Sequence, residues 1–102
     1  MGRSPESPFV RTVKRAFADA LVAEIRRSRL GRDDAAKSGN VSRAYLQLLL
    51  AADRHATIGT LISLAEGLGL RPEELMAKTM EHLDRLRPAP ERTEPPSERS
   101  AT

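Results

Sequence analysis

The stretch Arg32–Ala51, RDDAAKSGNVSRAYLQLLLA, decides how the rest of the chain is read. It breaks at Gly39-Asn40. Asn tolerates positive φ better than any residue except Gly, so Asn40 can make the turn. Before the break, Asp33 and Asp34 suit the positive end of a short helix from Arg32 to Ser38. After it, Ser42 is a good N-cap for a helix from about Ser42 to Ala52. Ala36 falls where the two helices cross, and only a small side chain lets them approach closely. Val41 and Leu46 anchor the second helix inward. The pattern predicts two short helices joined by a tight turn, a helix-turn-helix.

The flanks read the same way. Val10, Val13, Phe17, Leu21 and Ile25 recur at three- and four-residue steps, predicting a helix from about Phe9 to Arg29 with one apolar stripe. Its other face carries Arg11, Lys14, Arg15, Asp19, Glu24, Arg26 and Arg27. Past a polar connection at Asp53–Ala56, Thr57 caps a helix to about Leu68, with Leu61, Leu64, Ala65 and Leu68 inward and Gly69 ending it. Pro72 then fits the first turn of a last helix, backed by Glu73 and Glu74. That helix runs to about Leu86, and Pro88 stops it. No segment alternates apolar and polar residues over strand length, so the chain reads as all-α.

A chain of 102 residues supports one small domain. Residues 1–8 and 88–102 lack the apolar content to offset the entropy of ordering, so they are expected to be a flexible N-terminus and a disordered tail around a domain at 9–87. The net charge is +3, distributed unevenly: eleven Lys/Arg against six Asp/Glu up to Arg54, and six against eight after it. A basic front half suits a polyanionic partner. With no Cys there is no disulfide framework and no Cys-based metal site. His55 and His82 have no second His at ligand spacing, so no metal and no cofactor are expected. No apolar run approaches a bilayer span, and no apolar signal core stands at the N-terminus, so no membrane association and a cytoplasmic location are expected. Tyr45, Phe9 and Phe17 are too few aromatics for a single-strand stacking platform. No Ser/His/Asp set has support in the sequence, and Gly67-Leu68-Gly69 follows no strand, so neither an enzyme nor a phosphate loop is expected.

Two stretches resemble a known family. Ala35–Leu46, AAKSGNVSRAYL, is similar to the core of the lambda-repressor-like, Cro-type helix-turn-helix domains, also called xenobiotic-response-element regulators. Thr57–Leu75, TIGTLISLAEGLGLRPEEL, is similar to their ending, with Thr60-Leu61, Ala65, Leu68-Gly69, Pro72 and Glu74-Leu75 all in register. The resemblance covers about Phe17 to Met76. It implies an all-α, five-helix lambda-repressor-like domain with disordered termini. It also implies a bacterial, nucleoid-associated transcription regulator, more often a repressor, that binds double-stranded DNA as a homodimer with its third helix in the major groove. The chain departs from the family pattern at Asn40, where the family has Gly, and at Ala35, where it has Leu. Leu50 and Ala52 replace a Glu and a Gly, and Leu48-Leu49-Leu50 makes an unusually apolar end to the third helix.

In that register Ser42, Arg43, Ala44, Gln47 and Leu48 face outward. Ser42 and Gln47 can hydrogen-bond phosphate or base edges, and Ala44 or Leu48 can meet a thymine methyl. Arg43 can grip guanine bidentately, a contact worth roughly 1–3 kcal/mol in discrimination. Arg32 is placed for a phosphate, helped by the start of its helix, and Lys37 and Arg54 are expected to be further phosphate contacts. Met76, Met80, Leu83 and Leu86 extend beyond the family's compact domain and are expected to meet a dimer partner. Two other readings fit the same residues. One is the antitoxin of a toxin–antitoxin pair, with the tail after Arg87 folding onto a toxin. The other is a protein-interaction module, binding DNA weakly, in which leucines 48 to 50 form a groove for a partner such as the transcription machinery.

Overall fold

A computed structural model describes residues 6–87. Among these, the chain forms five helices and no strand: α1 Pro8–Ser28, α2 Arg32–Ser38, α3 Arg43–Leu50, α4 Ile58–Gly67 and α5 Pro72–Leu86. Residues 1–5 and the expected tail at 88–102 lie outside the described residues.

The caps follow the sequence closely. Ser42 and Thr57 accept hydrogen bonds from the N–H groups of Tyr45 and Thr60, at 3.0 and 3.1 Å. Ser7 does the same for Val10, and Pro8 is already helical. Composition alone puts both in a loose N-terminus, but a capping serine followed by Pro is a helix start, so the helix begins before position 9. At α5 the Glu74 carboxylate accepts from the Arg71 N–H at 2.8 Å. Beside it, hydrogen bonding to its own backbone N–H and then to the Arg71 guanidinium holds the Glu73 carboxyl below its ordinary range.

Three helices end alike, with a left-handed residue after the C-cap and paired bonds back to the last turn. Asn40, Ala52 and Gly69 hold φ of 59°, 63° and 80°. The next residues, Val41, Asp53 and Leu70, donate their N–H to Ala36, Leu48 and Ala65 carbonyls at 2.8–2.9 Å. Gly69 adopts this conformation freely and Asn40 with little strain, but Ala52 has a Cβ to accommodate. The third helix stops at Leu50, two residues short of the sequence expectation, because this ending begins there.

The core is built from Phe17, Leu21 and Ile25 of α1, Ala35 and Ala36 of α2, Leu46 and Leu49 of α3, Leu64, Ala65 and Leu68 of α4, Leu70, and Leu75 of α5. Val41, Leu50 and Leu61 pack against it half-buried. α5 packs most extensively on α1 and also meets α4. It therefore buries more of α1 than one stripe. Ala16, Ala18 and Ala20 are fully enclosed, and Glu24, expected on the solvated face, is only 5% exposed. Its carboxylate is compensated by Arg27 at 2.7 Å and by Lys78 of α5 at 3.7 Å. The same packing buries Leu83 within its own chain, so it is not available to the dimer partner that its spacing predicts. Met76, Met80 and Leu86 stay exposed.

α2 and α4 approach through glycine. A Cβ on Gly67 would lie 2.5 Å from the Ser38 carbonyl carbon and 2.8 Å from the Gly39 nitrogen. A Cβ on Gly39 would collide with the Leu64 side chain. Gly39 has φ of −87°, so it is required for this closeness and not for its torsion. Ser63 Oγ donates to the Gly39 carbonyl at 2.7 Å and closes the contact.

Two substitutions check these points by urea or thermal unfolding. Gly67→Ala is expected to destabilise the protein by about 1–3 kcal/mol, because backbone on the other side cannot give way. Ala52→Gly is expected to stabilise it by about 1 kcal/mol by relieving the left-handed Cβ strain.

Candidate nucleic-acid interface

α3 is held by its inner face. Leu46 and Leu49 are fully buried and Leu50 packs half-buried against the core. These positions leave Ser42, Arg43, Ala44 and Gln47 exposed on the outer face, with Leu48 half-buried at its edge. Of leucines 48 to 50, Leu49 is interior and the other two are half-buried.

The outer face is tied to the first turn of α2 by two cross-links. Arg32 Nη1 donates to Gln47 Oε1 at 2.9 Å. Arg43 Nη1 donates to Asp33 Oδ1 at 2.6 Å. Residues 43 and 47 are one turn apart on α3, and 32 and 33 are adjacent on α2, so the two links form a short ladder across the motif. Both are at the surface: the Arg43 and Asp33 side chains are 58% and 75% exposed. Exposed pairs of this kind add about 0–1 kcal/mol to stability.

The structure thus brings Arg32, Arg43 and Gln47 together and adds Asp33 to them. In the sequence Asp33 stands out only as a helix-end charge. The available signal was opposite charge at positions 33 and 43, on two helices joined by a tight turn. The start of α2, expected to help bind phosphate, carries Asp33 and Asp34 exposed in its first turn. Two carboxylates already answer the helix dipole there, and they repel a phosphate. Arg32 is the one cationic side chain in this turn. Ser42 Oγ is engaged as the α3 cap, accepting from Tyr45 N–H, and its own hydroxyl proton remains a donor.

Lys37 is exposed at the far end of α2 and Arg54 is exposed in the loop 51–57. Arg54 is not drawn into the α2–α3 ladder; it lines a cavity of about 110 Å³ with Val13, Phe17, Leu61, Met76 and Thr79. The loop is anchored by Tyr45, whose hydroxyl donates to the His55 carbonyl at 3.3 Å. That bond ties the loop back to α3. Near the end of α1, Arg27 pairs with Glu24, and Arg26 and the C-cap Arg29 are exposed beside it. Among the described residues, no group of three or more His, Cys, Asp or Glu is placed to hold a metal ion, and no helix is long and apolar enough to cross a membrane.

Comparison with known proteins supports the fold. No family model matches the chain. No curated protein matches it. Among solved structures, the clp gene regulator ClgR from Corynebacterium glutamicum is similar, with a TM-score of 0.67 and 18% identity over 72% of this chain and 78% of that one. At that identity the likeness is one of fold, an all-helical helix-turn-helix arrangement.

Because both cross-links are exposed, Arg43→Ala is expected to change unfolding free energy by less than about 1 kcal/mol. Thermal denaturation checks this, and a larger loss would mean that the pair holds the α2–α3 crossing together.

Proposed function

We propose that this protein is a sequence-specific regulator of transcription that binds double-stranded DNA through α3. The observation that carries the reading is the split of α3 into a locked inner face, Leu46 and Leu49, and an outer face with Ser42, Arg43, Ala44 and Gln47 open to solvent. A short helix so held suits major-groove reading, since the groove is wide enough to admit an α-helix to its base edges. The fold likeness to a gene regulator favours the same reading.

In this reading Arg43 reads guanine, Gln47 and Ser42 bond to base or phosphate, and Ala44 with the edge of Leu48 meets a thymine methyl. Arg32, Lys37 and Arg54 neutralise phosphates, which makes affinity fall with salt. The lambda-repressor-like, Cro-type family is the proposed kinship, carried by the Thr57–Leu75 register. The protein acts as a repressor in the cytoplasm, associated with the nucleoid. It binds as a homodimer, for which α5 offers Met76 and Met80, one turn apart, and Leu86, each 40–45% exposed.

Selection of bound sequences from a randomised duplex pool tests the proposal. The expected product is a pair of half-sites separated by about one DNA turn. Arg43→Ala is expected to relax base preference at one position per half-site, worth about 1–3 kcal/mol there. Lys37→Ala is expected to weaken every duplex alike and to reduce the salt slope by about one. Unchanged selectivity in the first variant, or an altered preferred sequence in the second, would contradict these roles.

A further inference from the structure

We propose that Asp33 is a specificity-determining residue of this interface, so that a paired guanidinium and carboxylate, and not a free cation, meets the base pair. The inference rests on the DNA-binding reading above.

The Asp33–Arg43 bond engages Nη1 of the guanidinium and Oδ1 of the carboxylate. Among the described residues, Nε and Nη2 of Arg43 and Oδ2 of Asp33 have no partner. Nε–H and one N–H of Nη2 point the same way along one edge of the planar guanidinium. They form the parallel pair of donors that matches guanine O6 and N7. With Nη1 held by Asp33, that edge is the one left to face the groove. A long side chain with about 2 kcal/mol of rotamer freedom is thereby pre-oriented before contact.

Asp33 also changes what the site rejects. Its free oxygen is an acceptor with no proton to give. It can take a hydrogen bond from the N4 amine of cytosine, and it repels phosphate and the acceptor edge of a wrong base. A guanidinium and a carboxylate side by side therefore favour a G·C pair at this position, guanine on the Arg43 edge and cytosine amine near Asp33. They do so at some loss of affinity for DNA in general, since one phosphate-attracting charge is neutralised.

The Arg32–Gln47 link acts in the same direction. Arg donates only, so the Gln47 amide must turn its oxygen to Arg32, leaving Nε2 as the outward group. The ladder thus fixes the chemical sense of both α3 side chains.

The test uses the full chain and three duplexes: the site selected from the randomised pool, that site with its Arg43-dependent G·C pair replaced by A·T, and a random-sequence duplex. Affinities are measured by fluorescence anisotropy at fixed salt for wild type, Asp33→Asn, Arg43→Ala and the double variant. Asp33→Asn is expected to cut discrimination between the first two duplexes about tenfold and to raise affinity for the random duplex about threefold. In the Arg43→Ala background the same change is expected to cut discrimination by no more than about threefold, because no guanidinium is left to orient and only the direct acceptor contact of Asp33 is lost. A purely structural role for Asp33 would not produce that dependence on Arg43. If Asp33→Asn keeps the wild-type discrimination, the inference is overturned and the DNA-binding reading stands. If the wild-type protein binds no duplex even at low salt, both are overturned.

Discussion

The glycine contact between α2 and α4 is the constraint on which the rest of the motif depends. Gly67, in the last turn of α4, admits the Ser38 carbonyl and the Gly39 nitrogen at distances no Cβ tolerates. Ser63 then ties the Gly39 carbonyl down. With the end of α2 pinned, the chain has four residues, Gly39 to Ser42, in which to reverse before α3 begins, and Asn40 at φ 59° makes the left-handed step. The reversal sets the direction of α3, and Leu46 and Leu49 set its rotation. The identity of the outward residues follows from those two facts together. A side chain at position 67 would push on rigid backbone, and every α3 residue would move with it.

Much of this was legible in the sequence because local chemistry and global packing agree. Asn40, Ser42, Thr57, Gly69 and Pro72 mark helix ends by their own torsional and capping preferences, and the structure uses each where its chemistry predicts. The 3.6-residue periodicity placed Phe17, Leu21, Ile25, Leu46 and Leu64 inward. What was not legible depends on which helix lies over which. Glu24 looks like a surface residue by its spacing, and it is buried because α5 lies across α1. Leu83 has the same cause. Gly39 and Gly67 read as helix-end glycines, and only the approach of two distant segments shows why neither can carry a side chain. The cross-links of Arg43 to Asp33 and of Arg32 to Gln47 lie between side chains 10 and 15 residues apart, so spacing rules for a single helix do not reach them.

The face so constructed is not simply basic. Arg32 and Arg43 stand among Asp33 and Asp34, and each arginine is already bonded to a neighbour on the opposite helix. A surface meant only to attract a polyanion has no use for those acids. A surface meant to distinguish among polyanions does, because a preformed pair forfeits part of the indiscriminate attraction and gains directional hydrogen bonding. The same weak ties that add little to stability hold the α3 side chains in defined orientations at the surface.

The central claim is that the outer face of α3, with the first turn of α2 beside it, is the surface that meets DNA. Backbone amide NMR of the isotope-labelled protein titrated with duplex DNA tests it most directly, because it reports location without assuming a sequence. The account predicts that the perturbed amides centre on Ser42–Leu48 and Arg32–Asp33. Perturbation centred instead on the exposed faces of α4 and α5, or none at low salt, would contradict it.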